Sequence, residues 1–399
     1  MHIKKSYKTP GIAIFLTSLT VSMPTVAEVF APEGIRSGSV IYYPYVALSI
    51  GNDDNLYSQE NNSKSSSLTS LNTGVNLEIL QSESLGFFKV SADATAGFYG
   101  DSSADNFEDG TLSAGYNYQI SEKSLIDVNV GVKQLHDART SATLLTNNAP
   151  DVYQDKTLDG EWYYGENNAE GADLLLSFNL TDKSYSTNSA VNDAKERAQT
   201  KISGLNSFPL APNTRIRLSA RYSTFDYDTK NTLDSTQIRA LVGIEWQASA
   251  QTLLTIDVGS QKKEFDLNPN SDDSENAWEV SMAWTPEDYN RVDLTASNDF
   301  AESTTAASYL TNQSVNLTWR YGWKDYIVTV ISLGNTKETS VNPTSKTVKN
   351  ITTAALSAEF HYSQSVKFTA GVNNTEVDSD VAGDSSDKNV ITVGLTTAF

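Results

Sequence analysis

From residue 39 to the last residue, the chain is a succession of stretches in which apolar and polar side chains alternate with a period of two. In 70–80, Leu71, Thr73, Val75, Leu77 and Ile79 share one face, and Ser70, Asn72, Gly74, Asn76 and Glu78 share the other. In 87–100, Phe88, Val90, Ala92, Ala94, Ala96 and Phe98 oppose Lys89, Ser91, Asp93, Thr95 and Gly97. Period two places successive side chains on opposite faces of a β-strand. A run of about ten residues matches one tilted crossing of a bilayer. Beyond residue 27 no apolar run is long enough to span as a helix. If such a chain enters a membrane, it does so as a closed barrel, which leaves no backbone group unpaired in lipid.

The pattern predicts strands over 39–52, 68–81, 87–100, 107–120, 125–136, 161–168, 172–184, 199–209, 214–226, 234–248, 251–263, 275–284, 289–298, 307–320, 325–334, 348–362, 366–375 and 389–399. The expected fold is therefore all-β: a single closed antiparallel transmembrane barrel of about eighteen strands (sixteen to twenty) spanning 39–399. Short connections such as "SEKS", "LAPN" and "TPED" alternate with longer ones rich in Asn, Ser and Asp, 137–160 the longest. This is the layout of outer-membrane barrels, with short periplasmic turns, long extracellular loops and an even strand number. Tyr116, Tyr118, Trp246, Trp284, Trp319, Phe360 and Tyr362 fall just before short turns, where an aromatic girdle belongs. A sandwich would carry similar turns at both ends, and a solenoid a fixed repeat length; neither is visible.

Ahead of the barrel, Lys4, Lys5 and Lys8 precede the apolar "GIAIFLTSLTVSM" and a "TVA" cleavage-like site. Residues 1–27 read as a secretory signal peptide and 28–38 as a periplasmic segment. The whole chain carries −20 at pH 7, and without the leader's three lysines −23. Nucleic acid needs a basic footprint and is excluded as a partner. With no cysteine, disulfides and thiolate metal sites are impossible. No cofactor is expected. Lipid and lipopolysaccharide of the bacterial outer membrane are the expected surroundings.

The C-terminal strand "NVITVGLTTAF" must pair with the first strand to remove both sheet edges. Ile391, Val393 and Leu395 then face lipid and Phe399 lands in the periplasmic girdle. A terminal aromatic on such a strand also resembles the signal read by the bacterial barrel-assembly machinery.

The opposite face of the strands collects Lys89, Asp93, Asp127, Lys133, Arg215, Arg217, Arg221, Arg239, Glu245, Asp257, Arg291, Asp293, Arg320 and Glu359. Charges at membrane depth face water or one another, so these are candidate lumen-lining residues. A turn centred near Lys230 would set Arg215 opposite Glu245, as a lumen ion pair, and Arg221 opposite Arg239. Two arginines side by side require an anion between them. The apolar Leu144, Leu145 and Val152 suggest that loop 137–160 folds into the lumen and narrows it.

Two short motifs carry a family resemblance. Asp53-Asp54-Asn55 ends the first strand, and "HDART" at 136–140 follows the fifth. These resemble the β-barrel porin 2 family, often encoded with exopolysaccharide genes. The resemblance implies an outer-membrane channel taking part in export of an extracellular polysaccharide, with that polymer and periplasmic export proteins as partners. A general or sugar-selective diffusion porin is the alternative. An outer-membrane lipid-modifying enzyme is the third reading and would rest on His136 with a serine such as Ser141. His361 lies too close to a short turn for outer-leaflet chemistry, and no hydrolase, zinc or phosphate-loop motif occurs. Asp53, Asp54 and Asn55, like the acidic runs at 271–275 and 378–387, could ligate calcium, but no glycine-punctuated ligand loop supports it; turn formation through Asx side chains is the simpler role.

Overall fold

A computed structural model describes residues 30–80, 86–139, 149–165, 171–303, 309–342 and 345–399. The leader 1–27 and Ser141 lie outside these residues. Nineteen strands form one sheet. β1 (Ile35–Ser37) is a three-residue hairpin arm. The other eighteen close into a barrel: β2 (Val40–Asp53), β3 (Ser66–Leu80), β4 (Gly86–Tyr99), β5 (Phe107–Ser121), β6 (Ser124–His136), β7 (Val152–Tyr164), β8 (Asp173–Tyr185), β9 (Arg197–Ala211) and β10 (Thr214–Tyr227), then β11 (Ser235–Ser249), β12 (Thr252–Phe265), β13 (Asp273–Glu287), β14 (Asn290–Ala301), β15 (Tyr309–Lys324), β16 (Ile327–Asn342), β17 (Ser345–Ser363), β18 (Val366–Ser379) and β19 (Ser386–Ala398). Each pairs antiparallel with its sequence neighbour, and β19 returns to β2 from Val390↔Asp53 to Ala398↔Tyr45.

Alternation explains the closed wall. Outward positions hold Leu112, Val130, Val242 and Ile391, whose side chains are 51–59% exposed, as a lipid-facing surface requires. The aromatics Tyr118, Trp246, Trp284, Phe360 and Tyr362 belong to the same outer face, at the end where β2 starts and β19 finishes. Ring contacts knit this girdle: Tyr116–Tyr118 at 5.9 Å, Trp319–Tyr321 at 5.7 Å and Tyr326–Phe360 at 5.9 Å.

The strands run further from this end than hydrophobicity indicated. The segment 152–160, expected in a loop, is most of β7, and 335–342 belongs to β16. The reason is physical: beyond the apolar band both faces are wet, so Gln154, Lys156, Asn335 and Lys337 stand outward and the alternation fades while the backbone ladder continues. Turns at the terminal end are as short as 122–123, 212–213, 250–251 and 364–365, whereas distal connections include 54–65, 100–106 and 186–196.

The closing seam is locked at its distal end by the Asp53-Asp54-Asn55 motif. Asp54 accepts bonds from the backbone N–H of Asn389 at 2.7 Å and its side-chain amide at 2.9 Å. Asp53 pairs with Lys388 at 2.7 Å and accepts the Asn55 N–H at 2.9 Å, an Asx turn. Buried Asn55 donates to the carbonyls of Asp387 and Gln59. At the other end the Phe399 N–H donates to the Pro44 carbonyl at 3.1 Å, while its ring stays exposed on the outer face.

Candidate functional site: the lumen and an inward-folded hairpin

Every sequence-assigned lumen residue lies on the inner parity of its strand. On β10, Leu218 and Tyr222 face outward and exposed, so Arg215, Arg217 and Arg221 point inward, where Arg215 and Arg217 are buried. The expected register holds, with Arg215↔Glu245 and Arg221↔Arg239. The expected Arg215–Glu245 ion pair does not. Arg215 instead binds Asp173 of β8 at 2.5 Å, and Arg217 holds both Glu245 and Asp257 at 3.2 Å. The inner face of a barrel is concave, so side chains from strands two apart converge and compete with direct cross-strand partners.

The anion demanded by Arg221 and Arg239 is Asp299, at 2.5 Å and 3.9 Å. Arg239 also pairs with Glu279 of β13. Asp299 reaches Arg221 from β14, four strands away, because the distal end of the β14–β15 hairpin bends into the lumen. The β13–β14 ladder stops at Trp278↔Asn298, although β13 continues to Asp273 against β12. The Asn298 amide then donates to the freed Asn276 carbonyl at 2.6 Å. Past this point the face of the hairpin that would continue the lipid surface lies against the inner wall. Phe300 and Tyr309 pack with Phe265 and Val341 as a buried cluster. The Phe300 N–H donates to Gln261, Glu302 accepts from Lys263 at 2.5 Å and from the Tyr227 hydroxyl at 2.6 Å, and Tyr309 donates to Asp273. Lys263 is completely buried, 4.2 Å from the centre of the Phe225 ring.

Sequence reasoning missed this element and assigned the inward role to 137–160. Of that segment, 152–160 is wall, and 140–148 lies outside the described residues. A signal was present: Phe225, Tyr227 and Phe265 are aromatics on the lumen parity at distal strand ends, and Phe300 and Tyr309 are apolar above the lipid band. Both sets need a partner.

Across the barrel, the middle of the inner face carries small groups. Thr353 and Ser357 on β17, Thr369 and Asn373 on β18, Thr392 and Thr396 on β19, Ser49 on β2 and Ser70 on β3 are inward and solvent-accessible.

The other candidates are dispersed. Lys89 stands opposite Glu78, 4.9 Å from the Phe87 ring centre. Asp93 accepts from Tyr45 and Thr111. Asp127 is held by Asn117 at 3.1 Å and Asn129 at 2.7 Å, and Lys133 faces Asp155. Arg291 pairs with Asp293 at 2.7 Å. At the terminal end Glu359 gathers His361 at 3.0 Å and Arg320 and Lys367 at 3.8 Å. Phe30 of the N-terminal segment lies 6.1 Å from the His361 ring, so this segment enters the lumen mouth. Gly34, with φ +76°, permits that path: a Cβ would sit 2.6 Å from the Tyr43 ring.

His136 bonds Asp109 at 2.9 Å and stacks on Phe107 at 3.9 Å, rather than meeting Asp137 or Arg139. Arg139 is buried and binds Asp105 at 3.0 Å, which also accepts the Tyr57 hydroxyl at 2.7 Å. Through Tyr57, the loop that follows the Asp-Asp-Asn motif thus meets the "HDART" arginine at Asp105. Among the described residues no group of three or more His, Asp or Glu side chains is arranged to hold a metal ion.

The barrel resembles solved outer-membrane porins. It matches OccK3 (OpdO) of Pseudomonas aeruginosa at 14% identity, covering 90% of this chain and 96% of that one with a TM-score of 0.50. A BenF-like porin of Pseudomonas fluorescens matches at 10% identity, 90% and 99% coverage and a TM-score of 0.51. OccAB1 of Acinetobacter baumannii matches at 12% identity, 94% and 100% coverage and a TM-score of 0.50. No curated protein matches. At these identities the likeness is one of fold. A family model described as "Putative beta-barrel porin 2" matches residues 28–399. The chain therefore belongs to that porin family, and its place is the bacterial outer membrane.

Proposed function

We propose that the protein is a passive diffusion channel for small polar solutes, with its bore running between the inward hairpin and the small-residue wall. The observation that carries this reading is the asymmetry of the lumen. One side is filled by the end of β14–β15, and the other presents accessible hydroxyl and amide groups from β17 to β3. A bore lined by short neutral polar groups passes hydrated solutes without holding them. The girdle end, where β2 starts and β19 finishes, is periplasmic by the layout of such barrels, and the hairpin narrows the extracellular half. Export of a polysaccharide, which the family resemblance implies, gains no support from this geometry or from the matched porins. An enzymatic role is not the reading carried here: His136 pairs with Asp109 and stacks on Phe107, and the serine it would need, Ser141, lies outside the described residues. The test is swelling of liposomes containing the folded barrel in sugars of graded size. Small monosaccharides enter and oligosaccharides do not; a barrel that admits none is not a diffusion channel.

A further inference from the structure

We propose that the inner wall of β10–β12 carries a carboxylate-binding site, which the protein's own Asp299 and Glu302 occupy in this structure. The site consists of Arg221, Arg239 and Lys263, with Gln237 and Gln261 beside them. Asp299 lies on Arg221 with both carboxylate oxygens, at 2.5 and 2.7 Å to Nη2, and takes a 3.3 Å bond from Gln237. Glu302 takes Lys263 at 2.5 Å. With Glu279 of β13 also on Arg239, three carboxylates rest on three cations of the wall, and two of them, Asp299 and Glu302, arrive on an element whose backbone ladder to β13 ends at Asn298.

The wall has more donor capacity than the hairpin uses. Gln261 is only 1% exposed, and its amide nitrogen has no hydrogen-bond partner among the described residues, although its carbonyl accepts the Phe300 N–H. The side-chain amide oxygen of Asn298 is likewise buried with no hydrogen-bond partner among the described residues, while its backbone carbonyl accepts from Arg239 at 3.3 Å. A permanent interior satisfies such groups. A surface that alternates between an internal and an external occupant cannot satisfy them equally in both states. The planar guanidinium fork suits the paired oxygens of a carboxylate, and two cationic centres side by side suit a dicarboxylate.

The site deepens the channel reading and rests on it, because it names the solute class that displaces the hairpin and widens the bore. The internal carboxylates act as a tethered competitor, whose effective concentration for a short tether is of the millimolar order. A free dicarboxylate therefore binds the intact barrel weakly, and its affinity rises when the competitor is removed.

The experiment is calorimetric titration of succinate into the detergent-folded barrel, with sulfate as a control and single-channel conductance measured in parallel. Asp299→Asn with Glu302→Gln should tighten succinate binding by on the order of tenfold or more. Arg221→Gln should abolish it, and added succinate should raise the conductance of the unaltered protein. Unchanged or weaker binding in the double variant overturns the mimicry, and sulfate binding as well as succinate overturns the carboxylate class. Each variant is first checked for the heat-modifiable folded band. If the double variant does not fold, Glu302→Gln alone carries the same comparison at Lys263. A barrel that conducts but binds no succinate in any form retains the channel and loses the site. One that binds with the expected tightening but does not conduct retains the site and loses the channel.

Discussion

The wall from β10 to β13 and the wall from β17 to β3 obey the same alternation, yet they do opposite things to the lumen. The first points long charged side chains inward, and these recruit partners from strands two and four places away until Lys263 and Gln261 are sealed off. The second points Thr, Ser and Asn inward along the middle of its strands and stays open to solvent there, its longer inward groups being gathered near the terminal end, where Tyr45 reaches Asp93 and Glu359 holds Arg320 and Lys367. Strand number sets the circumference of a barrel. Side-chain length on one arc of it decides how much of that circumference encloses water.

The strongest test of this contrast is to remove the filling. Replacing 299–310 with an Asn-Gly turn should raise single-channel conductance severalfold; an unaltered value would place the constriction elsewhere. Next is the energetic core of the filled wall. Arg217→Ala leaves Glu245 and Asp257 facing one another without their shared cation, a loss on the order of 3–5 kcal/mol for a buried pair broken on one side. The folded band should melt at clearly lower temperature in detergent, and an unmoved transition would mean that the network is ornamental. On the open wall, Thr392→Trp should leave the transition in place and depress conductance, because the ring has only lumen to occupy. The smallest effect belongs outside. Lys156 and Asp182 form a 4.0 Å pair with side chains more than 60% exposed on the outer face, so Lys156→Ala should cost less than about 1 kcal/mol. A large loss there would show that depth in the barrel does not govern the worth of its charges.

Much of this was legible in the sequence. Parity alone placed the charged residues on the inner face, and a turn near Lys230 fixed Arg215 opposite Glu245 and Arg221 opposite Arg239. The demand for an anion between the two arginines was also readable, because like charges cannot stand adjacent unaided. The identity of that anion was not. Alternation reports which face a residue takes but not where a ladder stops, and Asp299 reaches Arg221 only because β14 leaves β13 at Asn298. For the same reason 152–160 read as loop: once both faces are wet, Tyr153, Asp155 and Lys156 carry no contrast for a periodicity to register.

The clasp of Asp54 on Asn389 gives the barrel a means of checking its own completion. The first strand of the wall and the last are the two furthest apart in the order of synthesis, and their ladder could be offset by two residues with every side chain still on its proper face. Such an offset would carry Asn389 about 7 Å along the strand. Asp54 would then lose both bonds, Asp53 its lysine, and Asn55 its bond to the Asp387 carbonyl. Hydrophobic pattern cannot distinguish these two closures. Three polar residues at the distal rim can, so the register of the finished cylinder is verified at the edge furthest from where its first strand starts and its last one finishes.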